Sequence, residues 1–307
     1  MQVHRDIDHL PAFRNAVITI GTFDGVHTGH RKIIETIREA AKAVKGETVI
    51  ITFHPHPRKI VSSAILGVRL ITTLDERIRL LHECGVDHLV VVPFTEAFAN
   101  QPAESYVRDF LVEKFRPRVV TIGYDHRFGK DRQGDYKLLE NLAPVYGFEL
   151  REIPQYVLDE ITISSTKIRE AILHADIQTA NRYLGYEFFF SGEVIHGNKL
   201  GRELGYPTAN LKMENEEKII PGDGIYAVYA DLGEQSFKGM MSIGFRPTVD
   251  GKKRVIEVNL FDFDREIYGQ TIRVRVKQYL RPEKKFENLR ELTDQIGRDK
   301  VASLSVL

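Results

Sequence analysis

The chain has 307 residues, 42% apolar and 28% charged, with 43 Lys and Arg against 43 Asp and Glu. That balance suits a soluble protein with a core in each of two domains and excludes long disorder. Zero net charge removes any global field for a nucleic-acid backbone or an anionic membrane, and one cysteine, Cys84, excludes an intrachain disulfide framework and a cysteine-based zinc site.

The opening segment MQVHRDIDHLPAF has neither the basic start nor the apolar core of a signal peptide. No run approaches the roughly 18 apolar residues of a membrane span, so a cytoplasmic protein away from membranes is expected. The apolar runs AVITIG, ETVIITF, DHLVVVPF and RVVTIG then alternate with the amphipathic stretches HRKIIETIREAAKAV, TLDERIRLLHECGV and ESYVRDFLVEKF. This alternation predicts a doubly wound parallel sheet covered on both faces, with its ligand beyond the carboxyl ends of the strands. After about Gly185 the period becomes two, in FFFSGEVIHG, GIYAVYADL, FKGMMSIG, RVIEVNLFDF and TIRVRVKQYL, which predicts an antiparallel barrel or sandwich. In FENLRELTDQIGRDKVASL, Leu289, Leu292, Ile296 and Val301 fall near helical spacing and predict a terminal helix packed on it. The expected fold is α/β: an N-terminal doubly wound parallel-sheet domain over residues 1–184 and a C-terminal antiparallel β-barrel with a terminal helix over 185–307, joined briefly near Arg182 to Tyr186. No internal repeat or low-complexity tract is visible.

Within the first half, GTFDGVHTGH places Gly21 after a predicted strand, Gly25 and Gly29 in the turn, and His27 and His30 three apart as a helix begins. Backbone can approach a phosphate there, the helix N-terminus supplies amide donors, and two imidazoles on one turn can hydrogen-bond phosphate oxygens. Two satisfied loop histidines beside turn glycines explain the pattern equally well. Downstream, ISSTKIREAI supplies Ser164, Ser165 and Thr166 as capping hydroxyls, followed by Lys167 and Arg169. Cations at a helix N-terminus oppose its dipole unless an anion lies between, and a triphosphate would be that anion.

In the second half nothing reads GxxxxGK[ST], so a kinase here must hold ATP by another loop. HGNKLGRELGYPTANL offers Gly197, Gly201 and Gly205 with Lys199 and Arg202, although ordinary barrel turns explain these nearly as well. Pro207 precedes Thr208 and Asn210, two neutral oxygen ligands that share one face of an extended segment and could orient Mg²⁺ with ATP. Glu257, among Val255, Ile256, Val258 and Leu260, is the best-placed group to take a hydroxyl proton; a solvent-facing glutamate on an alternating strand is the plainer account.

GTFDGVHTGH with ISSTKIR resembles the nucleotidylyltransferase superfamily marked by HxGH and ISSTxxR. TFHPHP at Thr52 to Pro57 and GYDHRFGKDRQGD at Gly123 to Asp135 narrow the resemblance to the prokaryotic bifunctional riboflavin kinase/FMN adenylyltransferase family, also called FAD synthetase, over nearly the whole chain. The resemblance implies FMN adenylylation in residues 1–184 and riboflavin phosphorylation in 185–307, with riboflavin, FMN and ATP as partners. Mg²⁺ would come with ATP, and FMN and FAD would be substrate and product rather than redox cofactors. It implies that His27 and His30 contact ATP phosphates in a site with Gly21, Phe23, Asp24 and Gly29. Ser164, Ser165, Thr166 and Arg169 would hold the triphosphate and the leaving pyrophosphate, with His54 and Asp125 near the flavin phosphate or adenosine. In the barrel the residues themselves offer ATP contacts at Gly197, Lys199, Gly201, Arg202 and Gly205, and the resemblance implies metal and ATP at Thr208 and Asn210, Glu257 as catalytic base, and Arg281 and Phe286 closing over the isoalloxazine ring. Asn259, Ser242 and His126 depart from the His, Asn and Phe that many relatives carry. A monomer or weak homo-oligomer is expected.

Three other readings stay open on the residues alone. A nucleotidylyltransferase for another acceptor could carry an unrelated barrel, and a flavin sensor could keep the fold without turnover. A barrel with the basic run GKKRV at Gly251 to Val255 could bind RNA, although a charged hairpin tip is the simpler account and zero net charge disfavours nucleic acid.

Overall fold

The apolar runs of the first half become the inner strands of a parallel sheet: β2 (Val17–Ile20), β3 (Thr48–His54), β4 (His88–Pro93) and β5 (Val119–Ile122). Every residue of β2 and β5 is buried, as expected of strands covered on both faces, and each such Val or Ile contributes about 1.5–3 kcal/mol. The computed structural model describes residues 1–61, 69–153, 163–197, 200–248 and 251–307 and divides into two units, Met1–Ser165 and Thr166–Leu307. In the first unit, β1 (Gln2–His4) and β6 (Glu149–Glu152) complete the all-parallel order β1-β4-β3-β2-β5-β6. The chain runs outward from β2 to β4 and returns to lay β5 on the other side of β2. That reversal puts a crevice at the carboxyl ends of β2 and β5, where the Gly21 turn begins.

The helices follow their sequence signals. Helix α1 (Thr28–Ala43) buries Ile34, Ile37, Ala40 and Ala41. Helix α2 (Leu74–Glu83) opens with a reciprocal capping box between Thr73 and Glu76. The stretch read as ESYVRDFLVEKF departs from a plain α-helix: it is α-helical over Ala103–Ser105, π-helical over Tyr106–Val112 and α-helical again over Glu113–Phe115. Helix α3 (Tyr136–Tyr146) is capped by the Asp135 side chain, which accepts from the Leu138 N–H, and stops at Gly147 in the left-handed region.

In the second unit, β7 (Phe189–Ile195), β8 (Ala209–Met213), β9 (Gly224–Leu232), β10 (Gln235–Thr248), β11 (Gly251–Leu260) and β12 (Thr271–Arg281) close a barrel in the order β10-β11-β8-β7-β12-β9. Every pairing is antiparallel, and closure leaves no edge strand. Helices α4 (Ser165–Leu173) and α5 (Ile177–Leu184) precede it. The Asn181 amide donates to the Val276 carbonyl at 2.9 Å and its oxygen accepts from the Phe188 N–H at 2.7 Å, while the Gly222 N–H donates to the Ile172 carbonyl at 3.0 Å. These bonds group α5 and most of α4 with the barrel, so packing divides the chain upstream of residue 184.

A short helix α6 (Leu200–Glu203) lies in the loop between β7 and β8, and α7 (Leu289–Val306) is the terminal helix. Its buried face differs from the one expected. Leu289 and Val301 are 58% and 69% exposed, whereas Asp299 and Ser303 are buried. The Arg281 guanidinium grips both Asp299 oxygens, at 2.8 and 2.6 Å, and this ion pair turns the 292-296-299-303 row toward the barrel.

Candidate active sites

In the first unit the Gly21 turn is strained and braced. Phe23, Gly25 and Val26 have φ of +48°, +88° and +36°. A positive φ on a β-branched residue costs on the order of 1–3 kcal/mol and persists only where the surroundings impose it. Asp24 imposes it: its fully buried carboxylate accepts from the N–H groups of Ile71 (3.1 Å) and Thr72 (2.9 Å) and from the Thr72 hydroxyl (3.0 Å). That hydroxyl accepts from the Gly25 N–H at 2.9 Å, and the Ser165 hydroxyl donates to the Asp24 carbonyl at 3.1 Å. The start of the ISST segment is thereby tied to the turn. The Phe23 ring packs on His30 (centroids 4.9 Å) and close above Gly21. Phe23 and Asp24, expected among the ATP contacts, have buried side chains whose work in this structure is to shape the turn.

His27 is the N-cap of α1, its Nδ1 accepting from the His30 N–H at 3.3 Å, and the two imidazoles stack with centroids 3.7 Å apart. Gly29 is buried in the first turn of the helix. The His30 Nδ1 is buried with no hydrogen-bond partner among the described residues. Burial, and then the nearby His27 and Arg77 charges, hold this imidazole well below its ordinary range, so it is neutral at pH 7. An unsatisfied imidazole nitrogen at a helix N-terminus suits an anionic oxygen.

Around this pair, Arg77 is 2% exposed and donates from Nη1 to the Thr52 hydroxyl at 3.2 Å. His54 ends β3, exposed, and partial burial followed by Arg77, Lys59 and Arg5 lowers its pKa. Asp125 is exposed in the segment after β5. Phe53, Phe94 and Phe98 are half-buried with ring centroids 5.3–5.7 Å apart; Phe53 is the next-to-last residue of β3, and Phe94 and Phe98 follow the carboxyl end of β4. Neither Arg77 nor this aromatic group was singled out in the sequence. Ser164 precedes α4, and Thr166, Lys167 and Arg169 lie in its first turns.

His126 lies 5.9 Å from the Phe128 ring, its Nε2 buried without a partner among the described residues. Burial pushes it down from 6.5 to about 4. Between those values the unfolded chain takes up a proton that the folded chain refuses. The contribution of His126 to stability is therefore full above pH 6.5 and falls by about 3 kcal/mol as the pH drops to 4. His126→Phe is expected to remove that part of the slope and add about 1–2 kcal/mol at neutral pH by eliminating the unpartnered nitrogen. Urea midpoints followed by circular dichroism near pH 7 and pH 5 check this, and parallel losses in variant and wild type would contradict it.

In the second unit a 660 Å³ cavity is lined by Gly197, Gly201, Thr208, Asn210, Glu257, Arg281 and Phe286, seven of the sequence candidates. Strand register explains the convergence. Asn210 on β8 pairs with Glu257 on β11, which pairs with Ser242 on β10, so the three side chains form one row across the barrel wall. The Asn259 amide donates to the Pro207 carbonyl at 2.6 Å and pins the start of β8, which gives Asn259 a structural task. Gly197 is required by proximity, because a β-carbon there would collide with the Asn210 amide. Arg246 on β10 donates to Glu257 at 3.0 Å and to Glu283 at 2.9 Å; neither Arg246 nor Glu283 was anticipated.

A second cavity of 430 Å³ is lined by Arg202, Thr208, Phe263, Arg265 and Tyr268 among others, and Thr208 is common to both cavities. Arg202 is exposed and pairs with Glu266 at 3.4 Å. Gly205 has φ +80° in a turn and lines neither cavity, and Lys199 lies outside the described residues. Among the described residues no cluster of three or more His, Cys, Asp or Glu suits a metal ion.

Residues 10–167 match the family model described as FAD synthetase, and residues 184–307 match that described as riboflavin kinase. The chain is 37% identical over 288 residues to the bifunctional riboflavin kinase/FMN adenylyltransferase of Escherichia coli (strain K12), covering 94% of this chain and 91% of that one. It is also 37% identical over 290 residues to the Bacillus subtilis (strain 168) protein of the same name, covering 93% and 90%. A solved structure called a macrolide-efflux protein, from Streptococcus pneumoniae, matches with a TM-score of 0.88 at 30% identity over 98% of both chains. The efflux name belongs to that protein. In this chain, among the described residues, no helix is long and apolar enough to cross a membrane.

Proposed function

The chain belongs to the bifunctional riboflavin kinase/FMN adenylyltransferase family, and from that premise we propose which residues carry each of its two reactions. It phosphorylates riboflavin to FMN and adenylylates FMN to FAD with release of pyrophosphate. The working boundary is residue 184, with adenylylation assigned to 1–184 and phosphorylation to 185–307. It acts in the cytoplasm, as a monomer or weak homo-oligomer, without nucleic acid or membrane.

In the first unit an FMN phosphate oxygen attacks the α-phosphorus of ATP in line as the bond to the β-phosphate oxygen breaks. The nucleophile is already ionised, so no base is required, and positioning and charge stabilisation supply the rate. Gly21 and Gly29 let backbone approach the phosphates. His27 and His30 hydrogen-bond the phosphate oxygens, and His30 gains charge as negative charge develops beside it. Ser164, Ser165, Thr166 and Arg169 hold the departing pyrophosphate. His54 and Asp125 address the flavin phosphate or adenosine, and Phe53, Phe94 and Phe98 offer the flavin ring an aromatic floor.

In the barrel, riboflavin occupies the 660 Å³ cavity against Arg281 and Phe286, with ATP in the 430 Å³ cavity beyond Thr208. Glu257 takes the proton of the ribityl 5′-hydroxyl as that oxygen attacks the γ-phosphorus and ADP leaves. Gly197, Gly201 and Gly205 let the loop before β8 come close to the phosphates, and Lys199 and Arg202 bring positive charge. Thr208 and Asn210 present neutral oxygens of the kind Mg²⁺ takes alongside phosphates, and the bound ion would neutralise phosphate charge. The observation that carries this reading is the register pairing of Asn210 with Glu257 inside one cavity. The test is Mg²⁺ titration of FMN formation. Asn210→Ala is expected to need about 10–100-fold more Mg²⁺ for half-maximal rate while adenylylation of supplied FMN keeps its requirement, and an unchanged Mg²⁺ dependence of phosphorylation would remove Asn210 from the metal site.

A further inference from the structure

Glu257 is held by a group with no obvious part in phosphoryl transfer. The Arg246 Nη2 donates to Glu257 Oε2 at 3.0 Å, and Nη1 donates to Glu283 Oε1 at 2.9 Å. The Ser242 hydroxyl donates to that same Glu283 oxygen at 3.2 Å. Gly244 makes the arrangement possible, because a β-carbon there would collide with the Glu283 carboxylate. Ser242, Gly244 and Arg246 alternate on one face of β10, and Ser242 pairs with Glu257 on β11, so this row extends the Asn210–Glu257 line. Glu257 Oε1 has no partner among the described residues. Arg246 therefore fixes one carboxylate oxygen and leaves the other available to the cavity. Glu283 stands between Arg281 and Phe286, which line the same cavity, so the guanidinium bridges Glu257 and the segment proposed above to face the flavin. A planar fork with two carboxylates on separate nitrogens sets direction as well as charge, which an ammonium cannot reproduce.

We propose that Arg246 is a positioning residue for riboflavin phosphorylation: it orients the Glu257 carboxylate and is itself anchored by Glu283 from the segment that faces the flavin. This rests on the assignment of Glu257 as the base. Other charged groups at the cavity are Arg281, paired with Asp299, and Lys284. Among the described residues neither forms a hydrogen bond or ion pair with Glu257.

The test measures kcat and KM for riboflavin in the full-length chain, together with riboflavin binding by fluorescence titration. Arg246→Ala is expected to lower kcat about 100-fold, with KM and riboflavin binding little changed, because misorienting a catalytic group slows the step without weakening ground-state binding. Unchanged binding also reports that the barrel is folded. Added guanidinium ion is expected to restore part of the rate, and Arg246→Lys is expected to fall between Ala and wild type. Combining Arg246→Ala with Glu283→Gln is expected to be no worse than Arg246→Ala alone, since the two act through one contact. A wild-type kcat in Arg246→Ala, a loss confined to KM, or additive losses in the double variant would overturn the proposal. Glu257→Ala separates the two levels. If it keeps full kinase activity the base assignment fails, whereas if it is inactive while Arg246→Ala is normal, only the positioning role fails.

Discussion

His30→Ala is expected to make FMN from riboflavin at the wild-type rate and to stop there. The variant loses the imidazole whose Nδ1 is buried without a partner among the described residues, and the stacked partner of His27 at the start of α1. Removing one preorganised donor from developing charge typically costs about 100- to 1,000-fold. The loss at His30 is expected at the upper end, because the site is desolvated and a hydrogen bond to developing charge is stronger there. Structure should survive. His27 remains to cap the helix, and the Asp24 hydrogen bonds to Ile71 and Thr72 do not involve position 30. Flavin chromatography with riboflavin and MgATP, together with a pyrophosphate assay, reads the result. A variant that still makes FAD at the wild-type rate removes His30 from the phosphate site.

The second large effect is its mirror image. Glu257→Ala is expected to form FMN from riboflavin about 100- to 10,000-fold more slowly, the usual contribution of a positioned general base, and to convert supplied FMN to FAD normally. Glu257→Gln distinguishes proton transfer from shape. Glutamine keeps the side-chain length and can still accept from Arg246, but it cannot take the hydroxyl proton, so it should be as slow as alanine. If glutamine retained most of the rate, Glu257 would be placing substrate rather than accepting its proton. Both results are initial rates of FMN appearance and need no structural assay.

Much of the fold was legible because its signals are local. The four inner strands are continuous Val and Ile runs, α1 and α2 are amphipathic stretches, and the barrel strands alternate with period two. The edge strands β1 and β6 were not legible, since QVH and ELRE are short, polar and without periodicity. The buried face of α7 was misread for a related reason. Apolar spacing pointed to Leu289 and Val301, while a charged pair, Arg281 with Asp299, decides which face turns inward.

The sites divide in the same way. His27, His30, Thr208, Asn210 and Glu257 stand in short stretches whose spacing has chemical meaning. Asp24 could be named, but its bracing of a strained turn depends on backbone groups 47 and 48 positions away. Arg77 reaches Thr52 across 25 positions, and Glu283 reaches Arg246 across 37. Sequence spacing does not encode such contacts. Strand register and helix packing create them.

Two separate sets of residues in one chain are proposed here to run two chemically distinct reactions. The most direct measurement gives His30→Ala and Glu257→Ala riboflavin or FMN in turn, with MgATP, and separates the flavins. The predicted pattern is crossed: His30→Ala turns riboflavin into FMN and leaves FMN unchanged, while Glu257→Ala leaves riboflavin unchanged and turns FMN into FAD. One substitution abolishing both conversions in a folded protein, or neither substitution affecting its assigned step, would contradict the account.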